Sequence, residues 1–129
     1  MLATLFLGDD DTTNDTDPMT QPNVDDNRLD PVKLDTLKAL LGVKGKGYSD
    51  PLDQTGEQFV IPISAKLVAA LAVLDAKKRP GIAKKWAGTE EWQIEGAPAA
   101  QLDKLLGQIV KLAKQSVEDD RPMFLWMSV

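Results

Sequence analysis

The side chains able to do chemistry in this chain are mostly acids, and they come in clusters. Asp9, Asp10 and Asp11 stand in a row with Asp15 and Asp17 close behind, followed by Asp25 with Asp26, Glu90 with Glu91 and then Glu95, and Asp119 with Asp120. Two carboxylates that share a site push their pKa values apart and so divide into acid and base. Neighbours in sequence, however, diverge on a helix or strand, so none of these pairs is assigned a general-acid role. There is no histidine and no cysteine. That removes the commonest general base, the commonest neutral metal ligand, every thiolate nucleophile and every disulfide. Zinc, haem, iron–sulfur and Ser-His-Asp chemistry are left without their usual residues. Asp, Glu, Lys, Tyr48 and the hydroxyls remain, together with magnesium or calcium held through oxygen.

Two motifs are close enough to known site chemistry to test. GVKGKGYS, residues 42–49, has the glycine spacing of the phosphate-binding loop G-x-x-x-x-G-K-[ST], with Ser49 where the magnesium-binding hydroxyl belongs. Tyr48 occupies the lysine position, and a helix rather than a strand precedes the segment, so the amides cannot converge on phosphate as that loop requires. A basic turn is the reading. The aspartates after Gly8 invite a calcium loop, but neither the register from Asp9 nor that from Asp11 supplies the glycine and the closing glutamate. That segment reads as a solvated acidic loop, and no cofactor is expected.

Between residues 77 and 85 there are five cations and no acid, with Trp86 adjacent. Nucleic-acid binding uses basic residues interleaved with aromatics. A net charge of −5 and an isoelectric point near 4.7 oppose it, and three of the cations, Lys77, Lys78 and Arg79, read as partners of a helix C-terminus. Trp86 and Trp92, in KKWAGTEEW, read as core anchors of a short helix and its exit. Trp126, inside FLWM, reads as core.

These groups need elements to hold them. LATLFL, residues 2–7, is a short apolar run that reads as a buried strand ended by Gly8. Residues 9–30 carry Asp, Thr, Asn and Pro with little apolar content, a loop longer than the usual connection. Asp30 and Pro31 open a helix carrying Leu34, Leu37, Leu40 and Leu41, with Gly42 at its end. Residues 57–63 form a strand whose Pro62 places it at a sheet edge or exit. Ser64 caps a helix with Leu67, Leu71 and Leu74 on one side, broadened by Val68, Ala69, Ala72 and Val73. That helix stops at Lys77, Lys78 and Arg79, before Pro80 and Gly81. A short helix through Ile82 and Trp86 ends at Gly88. Trp92 and Ile94 alternate with charged residues and favour an extended segment, with a helical turn from Thr89 as the other option. Pro98 opens the longest helix, with Leu102, Leu105, Leu106, Ile109, Leu112, Ala113 and Val117 inward. Residues 122–129 close the chain as a strand covered on both faces.

The order implies one α+β domain, residues 1–129: a small sheet formed by the two terminal strands and a middle strand, packed against three to four helices, with a long acidic loop at 9–30. No apolar run reaches the roughly 20 residues of a transmembrane helix, and the apolar N-terminal run has no basic residue before it and meets three aspartates after Gly8, so it does not read as a secretory leader. The expectation is a soluble, cytoplasmic monomer or homodimer. By elimination the function is that of an acidic protein-interaction module, of the inhibitor or immunity type, that engages a basic protein. The expected contact residues are Asp9, Asp10, Asp11, Asp15, Asp17, Asp25 and Asp26, with Glu90, Glu91 and Glu95 as a second set. The alternative is a carboxylate-dependent enzyme using an oxygen-ligated divalent metal, which requires buried acids with displaced pKa values.

Overall fold

The two apolar runs at the ends of the chain lie side by side. In the computed structural model, which describes residues 1–52 and 56–128, strand β1 (Leu2–Leu7) pairs antiparallel with β4 (Met123–Ser128) along its whole length. β3 (Gln58–Pro62) continues the sheet on the far side of β4, and β2 (Asn23–Asp25) on the far side of β1, giving an antiparallel sheet of order β2-β1-β4-β3. The terminal strands are therefore central, as expected for runs covered on both faces. Asp53, Gln54, Thr55 and Val129 lie outside the described residues.

Alternation along the central strands divides the side chains between two clusters. Ala3, Leu5, Leu7, Met123 and Leu125 join the main core with the helices, whereas Phe6, Phe124 and Val60 form a separate cluster on the other face. The helix layer consists of α1 (Pro31–Leu40), α2 (Ala65–Ala72), α3 (Arg79–Ala87), α4 (Glu90–Glu95) and α5 (Ala99–Asp119). α5 is its spine, flanked by α2 and α3.

Helix boundaries follow local chemistry. Asp30 accepts from the Lys33 amide at 2.8 Å, Pro31 sits in the first turn of α1, and Gly42 takes the left-handed conformation just past its end, which are the start and stop signals of the sequence. Pro62 is the last residue of β3, where its missing N–H faces away from β4 and costs no ladder bond.

Elsewhere the structure corrects the sequence reading. Ser64 makes no side-chain cap; its amide is held by the Gly47 carbonyl at 2.8 Å instead. α2 ends at Ala72, leaving Val73 82% exposed rather than buried. Lys77, Lys78 and Arg79 do not sit at its negative end: they follow a turn from Asp75, and Arg79 and Pro80 begin α3. What holds Arg79 there is Asp103 of α5, 2.9 Å away.

The segment around Trp92 is helical, not extended. Glu90 and Glu91 occupy the first turn of α4, where carboxylates suit the positive end, and Gly96 at φ 68° ends it. Helical geometry buries Trp92 completely and turns Ile94 outward, 81% exposed. On α5, Val117 is likewise outside, and Ser116 takes the inward position, its hydroxyl donating to the Arg121 carbonyl at 2.5 Å.

Among the described residues no α-helix packs on the second sheet face. It is covered by residues 9–22, a strap that leaves β1 at Gly8, reaches β3 at Asn14 and returns through a 3-10 turn (Pro18–Thr20) to β2. Gly8 is required at the departure point: an added Cβ would lie 2.6 Å from the Phe124 ring and collide with the Thr12 hydroxyl. Under the strap Phe6 stacks on Phe124 with centroids 5.5 Å apart. Phe6 and Val60 are inaccessible, while Trp126, expected in the core, is only half-buried on this face.

Asn14 fastens the far end. Its amide nitrogen donates to the Gln58 carbonyl at 2.8 Å and its oxygen accepts from the Val60 amide at 2.9 Å, so one side chain occupies the β3 edge as a neighbouring strand would. Asn14→Ala is expected to cost about 1–2 kcal/mol in urea denaturation, since it leaves two backbone groups unpaired. The Val60 amide should then exchange with solvent faster than the amides of β1.

Candidate interaction surface

Aspartates and threonines build the strap by bonding to their own backbone. The Asp9 amide donates to Thr12 Oγ1 at 2.8 Å and the Asp11 amide to Asp9 Oδ1 at 2.8 Å. The next turn repeats the pattern, with the Thr13 amide on Thr16 Oγ1 at 2.9 Å and the Asp15 amide on Thr13 Oγ1. Asp17 caps the 3-10 turn by accepting from the Met19 amide at 2.9 Å. Short polar side chains favour such turns over helix or strand. The result is an ordered ribbon whose aspartates all face solvent.

Asp9, Asp10, Asp11, Asp15 and Asp17 carry five negative charges with no base between them, as many as the net charge of the whole chain. No ion pair among the described residues involves any of them. The base nearest the root of the strap, Arg121, is committed to oxygens of another kind. It donates to the carbonyls of Gly8 and Leu7, at 3.0 and 2.9 Å, and to the Gln21 side chain at 2.7 Å. Among the described residues no group of three or more carboxylates converges as metal ligands would.

The other expected contact residues divide between this surface and the opposite side. Asp25 is exposed on the strap face of β2, one oxygen accepting from the Thr4 hydroxyl at 2.8 Å. Asp26 is half-buried and paired with Arg28 at 2.8 Å, so its charge is already neutralised. Glu90, Glu91 and Glu95 lie on α4, in the helix layer, with the sheet between them and the strap. The ten acids therefore do not form one surface.

Glu95 belongs instead to a cluster that the sequence did not reveal. Lys33 of α1 is 2% exposed, and its ammonium donates to the Arg28 carbonyl at 2.5 Å and to Glu95 at 3.1 Å, with Asp30 at 3.6 Å. It also lies 4.3 Å from the centre of the Trp92 ring, and the Arg28 guanidinium lies 5.6 Å from it. Trp86 meets Trp92 edge to face at 5.2 Å and donates its indole N–H to the Lys33 carbonyl at 2.9 Å. Both tryptophans are inaccessible, so KKWAGTEEW pins α3 and α4 to α1. The Trp92 indole N–H is buried without a partner among the described residues. An i, i+4 pattern cannot disclose this buried lysine, because its closest carboxylate partner, Glu95, comes from 62 residues away.

Comparison with protein-family models, curated proteins and solved structures gives no match for this chain. No described helix is long and apolar enough to cross a membrane. The reading of the surface rests on its own chemistry.

Burial alone would raise the Asp26 pKa, but the hydrogen bonds from the Arg28 side chain and backbone, with the charges of Arg28 and Lys33, outweigh it and hold the carboxyl below its ordinary 3.8. A depressed folded-state pKa stabilises the fold above the unfolded value and loses that contribution as pH falls through the folded one. Asp26→Asn should therefore destabilise by about 1 kcal/mol at neutral pH. The gap from the parent protein should close below pH 3.8 when unfolding is followed across an acid titration.

Proposed function

We propose that this chain is a docking module for a basic macromolecule, most simply a basic protein whose action it blocks, and that the strap is the docking surface. The observation that carries this is the set of five solvated aspartates on an ordered ribbon, none of them in an ion pair among the described residues. Like charges gathered on one segment repel and weaken the compact state. A fold with no use for them would be expected to dilute them with lysine, as it does along α5, where Asp103, Lys104, Lys111 and Lys114 are interspersed. An uncompensated acidic patch steers a cationic partner and accelerates encounter.

The strap is suited to this because it does not have to fold on binding. Asn14, Pro18 and the Asx turns already hold it against Phe6 and Phe124, so the ordering entropy of a free loop is not charged to the complex. The α4 acids fit the role less well, with Glu95 engaged by Lys33 and Glu90 and Glu91 in the first turn of a helix they stabilise. The enzyme alternative requires desolvated acids. The buried polar residues among those described are Thr4, Lys33 and Ser116, and the half-buried carboxyl of Asp26 is held in its charged form by Arg28.

The test is a titration with a lysine-rich decapeptide at low salt, followed by the backbone amide resonances. Amides of residues 9–17 should move first. Asn at all five strap aspartates should weaken binding at least about tenfold, whereas Glu90→Gln with Glu91→Gln should change it little. Shifts centred on α4, or an affinity indifferent to the strap changes, would contradict the proposal.

A further inference from the structure

The sheet treats its two edges differently. On β3 the residues whose backbone faces outward are 58, 60 and 62, and the chain covers them. Asn14 takes the Gln58 carbonyl and the Val60 amide, the Leu52 amide takes the Val60 carbonyl at 2.8 Å, and the Ser49 amide takes the Pro62 carbonyl at 2.9 Å. On β2 the register with β1 is set by Leu5 opposite Val24, with the Leu7 amide on the Pro22 carbonyl and the Asp26 amide on the Ala3 carbonyl. Residues 22, 24 and 26 thus face β1, and the N–H and C=O groups of Asn23 and Asp25 face away from the sheet. No described backbone group pairs with them.

Beside this open edge runs a groove of about 470 Å³, bounded by the β2 backbone and by Gln108, Lys111, Leu112 and Gln115 of α5. Strand edge, groove and helix row together have the form of a β-augmentation site, in which main-chain bonds give affinity and alternate side chains give selectivity.

We propose that the β2 edge receives an extended segment of the basic partner as a fifth strand, carrying lysine or arginine at alternate positions. This rests on the strap reading for the charge of the partner and adds where and in what conformation that partner binds. Successive side chains of an added strand point to opposite faces. Those on the strap face would lie beside Asn23 and the exposed Asp25, which has one oxygen engaged by Thr4. The strap enters β2 directly through Gln21 and Pro22, so its acids belong to the same face. Those on the other face would lie over Gln108, Lys111 and Gln115, where a second row of bases would meet Lys111 and uncharged side chains would not. Charge complementarity therefore selects a pattern of base, neutral, base. A second copy of this chain would bring Asp25 and its own strap to the same edge, acid against acid.

The probes are the pentapeptide Lys-Thr-Lys-Thr-Lys, the same composition in blocks as Lys-Lys-Lys-Thr-Thr, and the alternating peptide N-methylated at the amides of one edge. The first should bind at least about fivefold tighter than either of the others, the factor expected from one net hydrogen bond. The Asn23 and Asp25 amides should shift and exchange more slowly on binding. Asn23→Pro, which removes an outward N–H and no ladder bond, should reproduce the loss seen with the methylated peptide.

Equal affinity of the methylated peptide, with binding still dependent on the strap aspartates, would overturn the edge and leave the strap reading standing. Binding that survives neutralisation of the strap but is lost on methylation would support the edge and remove the strap. A free protein that sediments as a dimer with the Asn23 and Asp25 amides protected would assign the edge to a second copy and overturn the proposal.

Discussion

A four-stranded sheet whose central strands are apolar on both faces has to be covered twice, and this chain has helices for one face only. The second covering is made by fourteen residues, 9–22, with almost no apolar content of their own. They succeed because Phe6, Phe124 and Val60 supply the hydrophobic contact from below, while Asn14 and the Asx turns satisfy the backbone from above. A segment that contributes so little burial is free to carry charge on its outer side. The acidic surface is in this sense a consequence of how the sheet is closed.

The helix layer solves a different problem with different chemistry. α1, α3 and α4 are short, and three short helices have little surface with which to fix their mutual angle. Two tryptophans meeting edge to face supply the contact area, and the N–H of one bonded to the Lys33 carbonyl supplies direction. Lys33 completes the joint by satisfying the Arg28 carbonyl and a carboxylate of α4 at the same time. A buried ammonium is tolerated only when paired and hydrogen-bonded in this way. The same joint removes Glu95 and Asp26 from the pool of acids free to act on a partner.

The central strands, α1 with its Asp30-Pro31 start, and the apolar stripe of α5 were legible because local pattern and tertiary burial agree there. β2 was not, since Asn-Val-Asp offers one apolar residue and its pairing comes from β1, about twenty positions away. α4 was misread as extended because Trp92 and Ile94 alternate with charged residues, although Thr-Glu-Glu before them and Gly96 after them are helix signals. Trp126 was assigned to the core on hydrophobicity alone, yet it is only half-buried beside Phe6, Val60 and Phe124. Of the expected contact residues, the five aspartates of the strap and Asp25 are exposed on one face and in no ion pair among the described residues. Asp26 and Glu95 are in ion pairs, Asp26 with Arg28 two residues on, and Glu95 with Lys33, a partner that no spacing along the chain discloses because the two meet only in the folded state.

The central claim, that the strap is anchored by its contacts and carries charge surplus to them, is tested most directly by chemical denaturation of the protein with Asn at positions 9, 10, 11, 15 and 17, at low and at high salt. Asparagine keeps the oxygen that accepts the turn hydrogen bonds and removes only the charge. The account predicts a gain of about 0.5–1 kcal/mol at low salt that fades as salt screens the parent protein. A loss of stability at both salt concentrations would show that the negative charges themselves hold the strap in place, and would contradict it.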